Sequence, residues 1–201
     1  MIVDEVICGF GRSGKKFGHQ NFGVKPDIVT MAKGITSAYL PLSATAVRAD
    51  IADKFNEQGN NLHFRHVNTF GGNPAACALA LKNLELMEEE QLVERSEQLG
   101  EELRAKLAFL ADHPYVGDIR SFGFLMGIEM VEDRKTKEPA APAKLTQVIA
   151  ECKKHGLIIG RNGDTIPSFN NVLTLSPPFT TTSDDIDFIA HVMKEAFDTL
   201  E

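Results

Sequence analysis

Asp27-Ile28-Val29-Thr30-Met31-Ala32-Lys33-Gly34-Ile35-Thr36 is a short apolar run that ends on a lone amine. Ile and Val suit a pleated, half-buried surface, so Ile28 to Met31 is predicted as a strand, broken by Gly34 directly after Lys33. The opening stretch, Ile2 to Cys8, reads the same way, as a buried strand interrupted by the acids Asp4 and Glu5. The two strands together present an ammonium and a carboxylate on an apolar frame. A domain rarely starts in mid-sheet, so the chain is expected to be the C-terminal portion of something longer.

Working outward, residues 9–26 are rich in Gly, Lys and Asn, close at Pro26, and are expected to form a loop without helical period. A third strand is expected over Leu42 to Val47, a short helix over Ala49 to Asn56, and an ordered polar loop over Asn60 to Asn73. Asn73-Pro74 is a strong helix start, because Asn can cap the first amide groups and Pro suits the first helical position. Ala and Leu then recur at helical spacing to about Glu90, and Leu92 to Leu110 continues with Leu99, Leu103, Leu107 and Leu110 on one face. After Asp112-His113-Pro114 the texture changes. Paired strands are expected over Val116 to Arg120 and Phe124 to Val131, then a charged loop over Glu132 to Pro142. Next come a helix over Ala143 to His155 closed by Gly156, strands over Leu157 to Ile159 and Val172 to Leu175, and a last helix capped by Thr182-Ser183-Asp184-Asp185. This implies a partial α/β domain over residues 1–93 and a smaller α+β domain over residues 94–201.

Composition narrows the function classes. A formal charge of -7 with no basic cluster argues against a nucleic-acid or anionic-membrane surface. Cys8, Cys77 and Cys152 are an odd number of widely spaced thiols, which fits reduced cysteines in or near a core. The acidic opening lacks a signal peptide's basic region and no apolar run is long enough to span a bilayer, so a cytoplasmic protein is expected.

Five features could carry chemistry. Gly9-Phe10-Gly11-Arg12-Ser13-Gly14 fits the dinucleotide fingerprint, but Lys15 to Pro26 offers no apolar stripe for the helix that such a site requires. Asp4 could pair with a pyridinium nitrogen or, more blandly, with Arg12. Lys33 could snorkel to water or, in a pocket beside other cations, become nucleophilic enough to form a Schiff base. An amine and a carboxylate on neighbouring strands are what gripping pyridoxal phosphate requires. Thr69-Phe70-Gly71-Gly72-Asn73-Pro74 is either a Gly-rich turn feeding a helix or a phosphate site in which the Thr69 hydroxyl adds a hydrogen bond. His63-x-x-His66 has no third ligand near it in sequence and reads as two loop histidines.

Taken together, Asp4-Glu5-Val6 with Gly9-Phe10-Gly11-Arg12-x-Gly14, then Lys25-Pro26-Asp27 leading to Ala32-Lys33-Gly34, then His66-x-x-Thr69-Phe70-x-Gly72-Asn73-Pro74, resemble the C-terminal part of a class III (omega) aminotransferase of PLP fold type I. Three motifs agree in order and spacing, and the resemblance covers essentially the whole chain. It implies an α/β, PLP-dependent transferase fold in which Lys33 is the Schiff-base lysine, Asp4 meets the pyridinium nitrogen and Val6 packs on one ring face. Thr69 would bind the cofactor phosphate from the opposite subunit, which implies a homodimer. The segments Gly156 to Thr165 and Asn170 to Pro178 look like taurine–pyruvate aminotransferases, with Arg161 close to where many relatives keep an Arg for the substrate carboxylate. The implied reaction moves an amino group from a primary amine or omega-amino acid to a keto acid such as pyruvate. The family's phosphate-cradling Gly/Ser loop and ring-stacking aromatic precede Asp4 and are not in this sequence. The alternatives are a catalytically silent folding or oligomerisation module, and a PLP aminomutase or decarboxylase using the same Lys and Asp.

Overall fold

A computed structural model describes residues 1–57, 63–163, 166–167 and 169–200. The chain divides into two compact units, Met1–Glu94 and Arg95–Glu201.

The first unit is built on a three-stranded sheet of β1 (Ile2–Asp4), β2 (Ile28–Met31) and β3 (Ala44–Val47), in that order. β1 runs parallel to β2 with Asp4 opposite Thr30, and β2 runs antiparallel to β3 with Met31 opposite Ala44. β2 has the expected bounds, whereas β1 is shorter than the predicted Ile2 to Cys8. Glu5 leaves the strand because its carboxylate turns toward a loop, and turns then follow one another to Gly14. β1 is also an edge strand with Ile2 exposed, so the buried strand expected there is corrected. The next helical piece is a 3-10 turn at Gly18–Phe22, too short to be the helix that a dinucleotide fingerprint needs. A second 3-10 turn, Lys33–Ile35, opens two residues past β2. The short helix α1 (Ala49–Ala52) runs on into a 3-10 turn at Asp53–Phe55. In the loop expected over residues 60–73, positions 60–62 lie outside the described residues. α2 (Pro74–Glu89) starts where the sequence places it, with Pro74 at its first turn.

α3 (Leu92–Lys106) carries the chain into the second unit, and the helix expected to reach Leu110 gives way to a 3-10 turn at Ala108–Asp112. There, β4 (Val116–Phe122), β5 (Leu125–Met130), β6 (Gly160–Arg161) and β7 (Val172–Leu175) form an antiparallel sheet in the order β4-β5-β7-β6. The strand expected over Leu157 to Ile159 is displaced to Gly160–Arg161. The register decides this, because Gly160 and Arg161 are the residues opposite Thr174 and Leu173. β5 alternates strictly, with Met126, Ile128 and Met130 buried. These pack with Leu99 and Leu103 of α3, with Leu145, Val148 and Cys152 of α4 (Pro142–Lys154), and with Ile186, Met193 and Phe197 of α5 (Ser183–Asp198). Thr182 caps α5, and Thr182 and Asp185 complete a reciprocal capping box.

Candidate active site

The C-terminal ends of parallel strands are where an α/β sheet offers loops and free backbone groups to a ligand. In the first unit, Asp4 closes β1 and Lys33 follows β2 by two residues, so adjacent parallel strands, about 4.8 Å apart, deliver a carboxylate and an amine to the same end of the sheet. Both residues are exposed. One Asp4 carboxylate oxygen accepts the Val6 N–H at 2.9 Å, which bends the chain out of β1. Among the described residues, no hydrogen bond or ion pair engages the Lys33 ammonium.

The Lys33 backbone is strained. Its φ is 42°, in the left-handed region that costs a residue with a Cβ about 1–2 kcal/mol, and Ser37 (49°) and Ala38 (64°) share that conformation. Such clusters persist only where neighbours over-determine them, and they concentrate at functional sites. Four of the contacts that do this lie in or beside the turn itself. The Ile35 N–H donates to the Ala32 carbonyl at 3.1 Å, the Ala38 N–H donates to the Lys33 carbonyl at 3.3 Å, and the buried Thr36 hydroxyl donates to the Leu40 carbonyl at 2.7 Å. The fourth contact is at Gly34, where an added Cβ would stand 2.9 Å from the Phe10 Cβ, so only glycine lets the Phe10 turn pack onto the lysine turn.

Glu5, beside Asp4, is buried, and its partners are not the arginine that sequence reasoning considers for this strand. Its two oxygens accept the Gly18 and His19 N–H groups at 2.8 Å each, and His19 Nδ1 lies 2.9 Å away. A buried carboxylate with several partners is affordable, and these bonds tie the returning loop to β1. Burial, then Glu5, then Asp4, push the Cys8 thiol pKa upward, so Cys8 is a thiol rather than a thiolate beside the site.

Val6 is half-buried in the turn after Asp4. Thr69 sits in an exposed turn just before α2, where the Gly71 N–H donates to the Asn68 carbonyl at 2.9 Å and Phe70 is fully outward. The start of α2 is already occupied, because Asn73 Oδ1 accepts the Ala75 and Ala76 N–H groups at 3.1 and 3.2 Å. Any anion held there depends on Thr69 and the turn, not on those helix amides. Arg161 lies exposed on β6 in the second unit. The structure thus brings Asp4, Val6 and Lys33 together at one end of the first sheet. Sequence reasoning missed Asn83, whose side-chain amide reaches the Lys33 turn. The available signal was an Asn in the interior of an Ala/Leu helix, where that residue is a poor helix former. Among the described residues no group of three or more His, Cys, Asp or Glu is placed to hold a metal.

The Aminotransferase class-III family profile matches residues 1–197. The chain belongs to the class III aminotransferases. Over 200 residues it is 60% identical to the uncharacterized aminotransferase YhxA of Bacillus subtilis, covering 100% of this chain and 44% of that protein. It is 43% identical over 204 residues to the taurine–pyruvate aminotransferase of Bilophila wadsworthia, covering 100% of this chain and 45% of that protein. A Bacillus anthracis aminotransferase crystal structure superposes with a TM-score of 0.95 at 57% identity, over 98% of this chain and 44% of that one. The omega transaminase from Pseudomonas jessenii, solved in complex with PMP, gives a TM-score of 0.89 at 35% identity, over 98% and 43%. The chain therefore spans less than half the length of the relatives it matches, and its fold is that of the corresponding portion of a PLP-dependent transaminase.

Class III aminotransferases depend on pyridoxal phosphate. The residues present here fit that cofactor: an amine without a partner among the described residues, on a strained turn, and an exposed carboxylate on the adjacent strand end match its aldehyde and its ring nitrogen in chemistry.

Proposed function

We propose that the protein serves pyridoxal-phosphate-dependent transamination, moving an amino group from a primary amine or omega-amino acid to a keto acid such as pyruvate. The observation that carries this is the Lys33 amine, without a partner among the described residues and held on a left-handed turn at the same sheet end as Asp4. The taurine–pyruvate aminotransferase among the relatives supports the amine and acceptor classes. Bound pyridoxal phosphate supplies an electron sink that acidifies the substrate carbon next to nitrogen.

Each residue then has a defined task. Lys33 Nζ would hold the cofactor, and its amine would move the proton at the substrate carbon. The Asp4 carboxylate would keep the ring nitrogen protonated by accepting a charge-assisted hydrogen bond from its N–H. Val6 packs against one ring face. The Thr69 hydroxyl donates to the phosphate of the site in the opposite subunit, which makes the working protein a homodimer. Arg161 presents a guanidinium fork to the substrate carboxylate. We place the enzyme in the cytoplasm, in keeping with three unpaired cysteines.

The test is spectroscopic. The protein mixed with pyridoxal phosphate is expected to develop a near-visible absorbance band, and borohydride reduction followed by mass spectrometry is expected to locate the cofactor on Lys33. A band that survives Lys33→Ala, or a label on another lysine, defeats the proposal. Amine and keto-acid panels then separate transamination from decarboxylation or amino-group migration.

A further inference from the structure

We infer that Asn83 is a positioning residue for Lys33, a role that rests on Lys33 being the cofactor's attachment point. Asn83 lies in the interior of α2 and is half-buried. Asn side chains in helices ordinarily face solvent or compete for their own helix's backbone. Asn83 instead crosses to a turn 49 residues earlier in the chain, where its Nδ2 donates to the Gly34 carbonyl at 2.9 Å and to the Ile35 carbonyl at 3.3 Å. The same nitrogen lies 3.8 Å from Met87 Sδ. The amide orientation follows from chemistry, because the reversed amide would set Oδ1 against two carbonyl oxygens.

These two carbonyls belong to the 3-10 turn that Lys33 opens. Within the turn, the Gly34 carbonyl has only the long Ser37 N–H contact at 3.4 Å among its backbone bonds. Asn83 therefore supplies the short donor the turn lacks. The opposite constraint comes from Phe10, which is buried, has its own φ of 60°, and packs so closely on Gly34 that no side chain would fit between them. Phe10 is braced in turn by the Phe17 ring at 5.5 Å. The Lys33–Ile35 turn is thus held by an apolar wedge and an amide clamp. A lysine in the left-handed region keeps that backbone only while such holds persist. Releasing the clamp frees the turn to relax toward ordinary φ and swings Nζ away from the end of β2. Precise placement of the amine, rather than its mere presence, sets how fast it captures an aldehyde.

Two substitutions in the full 201-residue chain separate clamp from scaffold. Asn83→Leu keeps the size and is a better helix former, so α2 is not weakened, but the donor is gone. Asn83→Gln keeps the amide on a longer stem. Without cofactor, hydrogen exchange at Ile35, Thr36 and Ala38 is expected to quicken about fivefold in Asn83→Leu, the factor given by losing one hydrogen bond of ordinary strength. Asn83→Gln should restore most of the protection, and amides of α5 should be unaffected in both. With pyridoxal phosphate, borohydride-trapped label on Lys33 should form about fivefold more slowly in Asn83→Leu and recover in Asn83→Gln. Unchanged exchange in the turn of Asn83→Leu overturns the inference, as does slowing that Asn83→Gln does not relieve. If the unsubstituted protein takes no label at Lys33, the functional proposal fails, while the exchange measurement still decides whether Asn83 holds the turn.

Discussion

The two units solve different problems with similar lengths of chain. In Arg95–Glu201, β5 and β7 lay Met126, Ile128, Met130, Leu173 and Leu175 against three helices, and Phe124, Leu145, Met193 and Phe197 are essentially inaccessible. In Met1–Glu94 the buried apolar residues among those described are Phe10, Ala76, Ala80 and Met87, while Ile2, Val47 and Phe55 are exposed. The left-handed non-glycine residues distribute the other way: Phe10, Lys33, Ser37, Ala38 and Gln91 in the first unit against Lys137 in the second. Burial of apolar area is the main favourable term in folding, and strain consumes it. The contrast therefore separates a unit that is held by its core from one that buries less apolar area, relies on specific polar clamps and holds the residues proposed for the cofactor.

Core truncations should expose this contrast most strongly. Phe124→Ala, at a fully buried site in the second unit, is expected to cost about 3–5 kcal/mol in urea unfolding, through lost burial and the cavity left behind. Met87→Ala in the first unit should cost less, below about 2 kcal/mol, because Met87 lines an open groove with Phe10 and Phe17 that can collapse around the change. Equal costs would break the comparison.

A second break point is the contact between α3 and the β4–β5 turn. A Cβ built on Gly100 would stand 2.1 Å from the Gly123 carbonyl oxygen, a backbone atom with no rotamer to yield. Gly100→Ala should cost about 3 kcal/mol, near the upper end of overpacking, despite adding the best helix former. A neutral or stabilising result in calorimetry would show that α3 can shift off the sheet and that the second core is looser than its burial suggests.

How much of this was legible in the sequence follows the same division. The second unit announces itself, since β5 alternates strictly and α5 begins at the capping box of Thr182 and Asp185. Its one displaced element, β6, is two residues long and fixed by pairing with β7 rather than by local pattern. The first unit was legible at β2 and at the Asn73-Pro74 helix start. Its candidate site residues Lys33 and Asp4 were picked out as polar groups on apolar strands and by the resemblance of their motifs to a family. What holds them was not legible. Glu5 is satisfied by Gly18, His19 and the His19 ring, and Asn83 reaches back to Gly34, so both depend on tertiary contacts far apart in sequence. The extent of β1 was misjudged because an apolar run cannot show that Glu5 leaves the ladder for a loop partner.

Raising the pH offers a smaller lever on the second core. Burial pushes the Cys152 thiol pKa from its ordinary 9.0 up to about 11. Because the folded pKa lies above the unfolded one, the stabilisation is complete below about pH 9 and is lost as pH climbs to about 11, when the unfolded chain gains thiolate that the core refuses. Compared with Cys152→Ala, the native protein should lose as much as about 2 kcal/mol of relative advantage across that interval. Parallel stability curves for the two proteins would mean that the thiol reaches water and that α4 does not seal this side of the core.

The smallest expected effect tests whether the second unit also depends on polar detail. Thr182 Oγ1 accepts the Asp185 N–H at 3.2 Å, and the Asp185 carboxylate accepts the Thr182 N–H at 2.8 Å, so each half of the box satisfies an amide that the first turn of α5 would leave without a partner. Thr182→Ala removes the first of these and should cost about 1 kcal/mol. Hydrogen bonds from the Thr182 backbone and hydroxyl hold the Asp185 pKa below its ordinary value, so this contribution is present above the unfolded carboxylate range and fades as pH falls through the folded value. The Thr182→Ala penalty should accordingly shrink on acidification. Ile186, Ile189 and Met193 lie buried one after another along α5, and their burial should keep the helix folded when its cap is gone. A loss well above about 2 kcal/mol would instead mean that the start of α5 governs the unit, and would erase the distinction between a core-held and a clamp-held half.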